Sequence, residues 1–146
     1  MREPLIIFVA GIPKGQPRVK ARRFGNRAAV YDPGTAEEWK GLVRMETAAK
    51  WDKAPFAGPV ELGLHFVFGR PKAHLRKDGT EKHWAPVHHT SRPDSDNLAK
   101  AVMDALTNLG LWKDDAQIAR LVVSKKYTVG GFAGCCIEVR ELDNTP

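Results

Sequence analysis

Five aspartates crowd around a single helical pattern in residues 92–117, and this crowding restricts the fold more than any other feature of the chain. The apolar residues of the pattern recur at helical spacing: Leu98, Val102, Ala105, Leu106 and Leu109. Gly110 follows them, as is typical of the residue that closes a helix. The pattern therefore predicts a helix with one buried face that begins near Asp96 and ends before Gly110.

The acids lie at both ends of this predicted helix and inside it, at Asp94, Asp96, Asp104, Asp114 and Asp115. Two carboxylates about 4 Å apart repel each other by about 4 kcal/mol at an effective dielectric constant near 20. Such crowding predicts a compensating cation, and Mg²⁺ prefers oxygen ligands. In the alternative, the acids only cap and solvate a surface helix. That alternative accounts for Asp96 and partly for Asp94, but not for the adjacent pair Asp114 and Asp115.

The chain must reverse after the helix if acids from its two ends are to meet. A helix from Asp96 to Gly110 is roughly 21 Å long. The segment from Gly110 to Asp115 spans at most about 17 Å. We therefore expect Asp115 to return beside the first helical turns, near Lys100. A shorter helix, or an Asp115 supplied by a partner subunit, would relax this tight geometry.

The run PDSDNLAKAVMDALTNLGLWKDDAQI closely resembles the signature of RusA-type Holliday junction resolvases, which are crossover-junction endodeoxyribonucleases. The shared motif reads D-x-D-N-L-x-K, then D-A-L, then G-x-x-x-D-D-x-Q, in register without gaps. The resemblance implies that Asp94, Asp96 and Asp115 are the metal-binding catalytic aspartates. It also implies that Lys100 is the catalytic lysine, and Asp114 matches the first acid of the D-D pair, whose role stays open.

The chemistry that the resemblance implies is Mg²⁺-dependent hydrolysis of a phosphodiester, with Mn²⁺ as an alternative cation and no small-molecule cofactor. The three aspartates would hold one or two ions, which polarise the phosphate and generate hydroxide. Lys100 would position the nucleophile or stabilise charge growing on the phosphate. An ion pair of Lys100 with Asp96 or Asp104 is the alternative. We interpret Asp104 as a supporting acid, and Asn97 and Gln117 as supporting or backbone-capping groups rather than metal ligands.

Charge and symmetry indicate the partners. A net charge of +6 and a pI of about 9.5 favour a polyanionic binding partner. The resemblance implies branched DNA, and a four-way junction has near two-fold symmetry, which a homodimer matches. Two other functions stay open: a DNA-structure-binding protein without catalysis, and a different Mg²⁺-dependent phosphohydrolase.

Two basic segments could contact the phosphate backbone, a basic arm at 11–31 and a basic loop at 69–91. Residues 4–31 contain no acid, and Gly and Pro interrupt the arm, which predicts a loop without regular structure. Basic residues in such segments suit sequence-independent phosphate contacts, although a solvated surface is the alternative. The candidate DNA-binding residues are Lys14, Arg18, Lys20, Arg22, Arg23, Arg27, Arg76 and Lys77.

The basic loop also holds several histidines, whose spacing fits no standard structural zinc site. We therefore expect them at the surface, beside DNA or in solvent. Trp84, in the same loop, is expected to pack against the sheet, with stacking on a junction base as the alternative.

The remaining elements are predicted from periodicity. A capping-box pattern at Thr35 and Glu38 predicts a helix over about 35–51, with Trp39 in the core. Four strands are expected: a buried one at 5–10, a half-buried one at 60–68, and two more at 118–127 and 132–142. The predicted fold is one α+β domain over residues 1–146, with a mixed sheet of about four strands and two helices in the order β-α-β-α-β-β.

The same sequence indicates a cytoplasmic location. Cys135 and Cys136 match no metal or redox-motif spacing and are expected to be buried or half-buried thiols in a reducing compartment. No apolar run reaches the ~18 residues that a membrane span needs. The apolar run near the N-terminus is too short for a secretory signal.

Overall fold

The computed structural model describes residues 2–17, 20–24, 27–31 and 36–146, and for 20–24 and 27–31 it describes the backbone alone. The strands and helices are, in chain order, β1 (Leu5–Ala10), β2 (Lys20–Phe24), β3 (Arg27–Tyr31), α1 (Glu37–Lys50), β4 (Val60–Phe68), α2 (Ser95–Leu109), β5 (Ile118–Tyr127) and β6 (Gly134–Glu141). Short 3₁₀ turns lie at Lys72–His74 and Asp115–Gln117.

Four of the strands form one mixed sheet in the order β1-β6-β4-β5. β4 pairs in parallel with β5 and antiparallel with β6, and β6 pairs antiparallel with β1. Parallel neighbours need a crossover connection, and α2 supplies it between β4 and β5. This architecture confirms the predicted α+β fold with two helices and a mixed sheet.

The core lies between the two helices and one face of the sheet. Leu62, Leu64 and Phe66 of β4 alternate with polar and small residues, and each is at most 1% exposed. Neighbouring strands continue the same face, since Leu64 pairs with Ile137 of β6 and Ile137 pairs with Ile7 of β1. The helices contribute Trp39, Val43, Leu98, Val102, Ala105 and Leu106 to this core. Cys135 is buried and Cys136 half-buried, as predicted.

The opposite face of the sheet is not covered by a helix of the described chain. Ile6 and Phe8 of β1 point to that face, because their neighbours Ile7 and Val9 are buried, and they are 54% and 53% exposed. The prediction that β1 is a buried strand is therefore wrong for half of its side chains. An uninterrupted apolar run does not distinguish a strand covered on both faces from one covered on a single face.

Helix α1 runs over Glu37–Lys50, within the predicted range of 35–51. Trp39 is 1% exposed and belongs to the core, as predicted. Thr35 of the expected capping box lies outside the described residues. Ala36 occupies the N-cap position and makes no side-chain cap hydrogen bond.

The basic arm corrects a second prediction, because its backbone forms a two-stranded hairpin. β2 and β3 pair antiparallel, with Lys20 opposite Tyr31 and Phe24 opposite Arg27. The sequence between them, Gly25-Asn26, is a known two-residue hairpin signal. The segment contains many arginines and lysines. These charged residues weaken the alternating hydrophobic pattern of a strand, so the hairpin was not predicted from the sequence.

The basic loop folds back on β5. His89 is 9% exposed and its ring stacks on Phe68 with centroids 4.0 Å apart, so the expected surface position is wrong for this histidine. His74 meets Tyr127 of β5 edge to face. Trp84 is 54% exposed and contacts the His74 ring, so it does not pack against the sheet as expected. None of the helices in the described part of the chain has the length and apolar character needed to cross a bilayer.

Candidate active site

The first acid of the motif occupies the N-cap position of α2. Asp94 has extended backbone angles (φ −71°, ψ 149°), and its carbonyl oxygen accepts the helical hydrogen bond from Leu98 N at 3.0 Å. Its carboxylate makes no capping hydrogen bond, although capping is the ordinary use of an aspartate there. Asp96 follows in the first helical turn, and both carboxylates are exposed. Both are therefore available to an external ligand.

The far end of α2 turns the chain back toward the acids. Gly110 adopts a left-handed conformation (φ 98°), which a glycine accepts without strain. Leu111 then donates its backbone N–H to Leu106 O at 3.2 Å and is fully buried. This is the predicted helix closure.

Buried contacts hold the returning segment in place. Trp112 is 2% exposed and its indole Nε1 donates to Thr107 Oγ1 at 2.7 Å. Gln117 donates from Nε2 to the carbonyl oxygens of Phe56 (2.8 Å) and Gly58 (3.0 Å), and its Oε1 accepts from Lys113 N at 2.9 Å. Gln117 thus binds backbone groups, which is one of the two roles that the sequence predicts for it.

The two adjacent acids have different roles. Asp114 caps the 3₁₀ turn at Asp115–Gln117, where its Oδ1 accepts from Ala116 N at 2.8 Å. Asp115 projects from the same turn and lies beside Lys100 of its own chain, with Oδ2 3.6 Å from Nζ. The estimate of chain reach predicts this return. Asp114 therefore has a local structural role, whereas the Asp115 side chain faces α2.

Lys100 contacts two carboxylates at once. Its Nζ lies 3.0 Å from Asp104 Oδ1 and 3.6 Å from Asp115 Oδ2. The pKa of Lys100 is raised above its usual value, mainly by the hydrogen bond and charge of Asp104 and further by Asp115. The ammonium side chain is still 54% exposed, so it remains accessible to an anionic group.

The oxygen donors of the site have the chemistry that a hard divalent cation requires. Their present positions do not complete a site, because the described part of the chain contains no group of three His, Cys, Asp or Glu side chains placed to hold a metal ion. Asp115 is engaged with Lys100, whereas Asp94 and Asp96 lie at the start of α2. The carboxylate oxygens are thus suitable ligands for a cation, but in the described structure they are not close enough together to form a binding site.

The arm is attached to the same helical turn as the acids. Gln16 N donates to Asn97 O at 2.8 Å. Gly15 lies so close that a Cβ there would meet Asn97 Cβ at 3.0 Å, which is tighter than ordinary contact. An open cavity of about 370 Å³ lies beside this junction, lined by Gln16, Pro17, Arg92, Pro93, Asp94 and Asn97.

The structure describes only some of the predicted DNA-binding residues. Lys14, Arg76 and Lys77 are exposed. Arg18 lies outside the described residues. The backbone of the hairpin carries the four others, which are Lys20, Arg22, Arg23 and Arg27. One residue near the site, Lys125 of β5, is absent from the prediction, although it interrupts the apolar face of its strand.

Comparison with known proteins identifies the family. The family model for endodeoxyribonuclease RusA matches residues 10–140, which is nearly the whole chain. The chain belongs to the RusA endodeoxyribonuclease family. It is therefore a nuclease, and the alternative of a binding protein without catalysis is set aside.

Individual relatives divide into two kinds. The chain is 30% identical over 124 residues to the uncharacterized protein YqaN of Bacillus subtilis, covering 82% of this chain and 85% of that protein. It is 54% identical over 41 residues to the crossover junction endodeoxyribonuclease RusA of Escherichia coli K12 and to that of Enterobacteria phage 82. Those alignments cover 27% of this chain and 34% of the relatives.

Proposed function

We propose that this nuclease resolves four-way DNA junctions, cutting two strands at symmetric positions as a homodimer during recombination or repair. The observation that carries the proposal is the return of Asp115 to Lys100, at 3.6 Å. This contact brings together the D-D and D-x-D-N-L-x-K parts of a motif that are separate in sequence. The crossover junction endodeoxyribonucleases among the relatives support the choice of a branched substrate.

Lys100 acts as a fixed positive charge toward the substrate. Its carboxylate neighbours, mainly Asp104, raise its pKa and so favour the charged ammonium form. A phosphate that approaches the exposed ammonium gains a charge-assisted hydrogen bond. This interaction strengthens as negative charge develops on the phosphoryl oxygens, so it contributes to the rate rather than only to binding.

Asp94, Asp96 and Asp115 are the residues that would hold Mg²⁺ or Mn²⁺. Such a cation would polarise the phosphate and lower the pKa of a bound water. The described carboxylates are not grouped and Asp115 contacts Lys100, so holding a cation would require these side chains to rotate toward one another. Asp94 and Asp96 are exposed and Asp115 is half-buried, so their side chains have room to rotate.

The basic segments place DNA at the acids. The arm joins the first turn of α2 through Gln16 and Asn97, so phosphates bound at the start of the arm would lie close to the acids. Arg76 and Lys77 add exposed charge from the basic loop. These contacts position the backbone without reading its sequence. The extent of this basic surface favours a long polyanion over a free nucleotide, which argues against a nucleotide phosphohydrolase.

One assay tests the proposal. The protein is incubated with a synthetic four-way junction, a linear duplex of the same sequence and free nucleotides, each with Mg²⁺ or with excess chelator. We expect paired nicks in the junction with Mg²⁺, little cutting of the duplex and no release of phosphate from nucleotides. Cleavage that persists in chelator would contradict the cation, and equal cutting of duplex and junction would contradict the substrate.

A further inference from the structure

Lys125 is a charged residue on the core-facing side of β5. It pairs with Phe66 in the register of β4 and β5, so it shares a face with Val123 and Tyr127, which pack against the core. The residue is half-buried. A lysine in such a position is costly unless its ammonium is fully hydrogen-bonded, and this predicts a specific partner.

The partners of Lys125 are backbone carbonyls just before the acidic motif. Its Nζ donates to Ser91 O at 2.8 Å and to Pro93 O at 2.7 Å. Its own carbonyl oxygen accepts from His89 N at 3.0 Å. Within the described residues, none of the ion pairs involves Lys125. The side chain and the backbone of Lys125 thus hold segment 89–93 against β5.

This attachment bears directly on Asp94. The helix fixes that residue on one side, through the hydrogen bond from Leu98 N to Asp94 O at 3.0 Å. The carboxylate makes no capping bond that would fix the other side. Pro93 has no backbone N–H, so its carbonyl is the only backbone polar group that it offers next to Asp94. The Lys125 ammonium holds that carbonyl.

We infer that Lys125 is a positioning residue of the active site, which sets the place of Asp94 by fixing the carbonyls of Ser91 and Pro93. It acts through the backbone and does not touch the substrate. The inference rests on the proposed catalytic role of Asp94. Partners of this indirect kind typically change activity by about 10- to 100-fold.

The test compares three variants with the parent protein. Lys125→Met keeps the length of the stem and removes the donors, whereas Lys125→Arg keeps charge and donors. Lys126→Met is the matched control, because this neighbour is exposed and the variant loses the same charge. Three quantities are measured: hydrogen exchange of residues 89–97, junction affinity without divalent cation, and single-turnover cleavage.

We expect Lys125→Met to accelerate exchange in residues 89–97 and to cut at least about tenfold more slowly, while junction affinity stays within about twofold. Lys125→Arg should restore most of the slow exchange and most of the cleavage rate. Lys126→Met should match the parent in exchange, affinity and cleavage. Native exchange in Lys125→Met, or cleavage and affinity that fall together, would overturn the inference. If Lys125→Met does not fold, Lys125→Gln replaces it, since the shorter amide cannot reach both carbonyls. A parent protein that cuts no junction would refute the proposed function, whereas the exchange data would still decide the attachment.

Discussion

Lys100 compensates part of the acidic cluster without a metal ion. It lies within 4 Å of Asp104 and Asp115, so one positive charge offsets the repulsion between two carboxylates. Exposed pairs of this kind contribute at most about 1 kcal/mol each to stability. Among the ion pairs of the described residues, none involves Asp94 or Asp96. The case for a cation at the start of α2 therefore depends on these two acids and on whether Asp115 joins them.

Separate substitutions of the two acids that contact Lys100 distinguish a catalytic acid from one that only neutralises the lysine charge. Asp115→Asn and Asp104→Asn each remove one negative partner of Lys100 with little change in shape. We expect Asp115→Asn to slow single-turnover junction cleavage on the order of a hundredfold or more. Asp104→Asn should retain substantial activity. Junction binding by gel shift should be unchanged or tighter in Asp115→Asn, since the native acid repels phosphate.

The opposite ranking would assign the catalytic role to Asp104. Native cleavage by Asp115→Asn would remove that residue from the site altogether. Thermal unfolding of both variants serves as the control for folding, and the removal of one exposed ion pair should change stability by at most about 1 kcal/mol.

His89 gives the fold a dependence on pH. Burial lowers the pKa of this histidine, and the nearby charge of Lys125 lowers it further. At pH values between the lowered pKa and the ordinary value near 6.5, the unfolded chain binds more protons than the folded one. Stability therefore rises with pH across that interval and is lost as pH falls below about 6.5.

His89→Phe should flatten this dependence. The phenyl ring can keep the stack on Phe68 and does not titrate. We expect the melting temperature of the parent to fall more steeply than that of the variant between pH 7 and pH 5, as measured by circular dichroism. Parallel curves for the two proteins would show that His89 does not contribute to acid sensitivity.

At the scale of elements, periodicity predicts most of the fold. The predicted strands at 5–10, 60–68 and 118–127 have the bounds of β1, β4 and β5. In β4 the alternation is clear because the helices cover one face of the sheet. Strand order could not be predicted, because it depends on pairings between segments distant in sequence, and no local pattern records them.

The elements that sequence reasoning missed are those whose signals are polar. The β2–β3 hairpin is rich in arginine and lysine, so only the Gly25-Asn26 turn signal marks it. Lys125 contacts carbonyl oxygens, which every residue has, so no partner could be named from the sequence. The acidic motif could be recognised in the sequence because it is defined by side chains at fixed spacing.

The hairpin should provide affinity that is independent of DNA sequence. Replacing Arg22 and Arg23 with Ala should weaken junction binding and lower the slope of log K against log salt by about 0.9 for each phosphate that the variant no longer binds. The control replaces Lys50 and Arg140, two exposed basic residues outside the arm and the basic loop, and removes the same charge. Equal slopes for the two double variants would mean that the hairpin binds no phosphate.

At the scale of the whole molecule, β5 links the two parts of the site. Near its end, Lys125 holds the segment that leads into α2. Before its start, the turn at Asp115–Gln117 carries Asp115 and is anchored by Gln117 to the backbone preceding β4. The crossover through α2 thus places both ends of the acidic motif along a single strand.

A two-fold symmetric junction requires one such site on each of two subunits if both cuts are to match. Light scattering should therefore find a dimer in the active protein. Co-expression of parent and Asp115→Asn chains with different tags yields heterodimers with one intact site. We expect these to nick only one strand of a four-way junction, leaving a nicked junction in place of two linear duplexes. Heterodimers that contain Asp104→Asn should still make paired cuts. Paired cutting by the Asp115→Asn heterodimer, or full activity of a monomer, would show that one subunit resolves the junction alone.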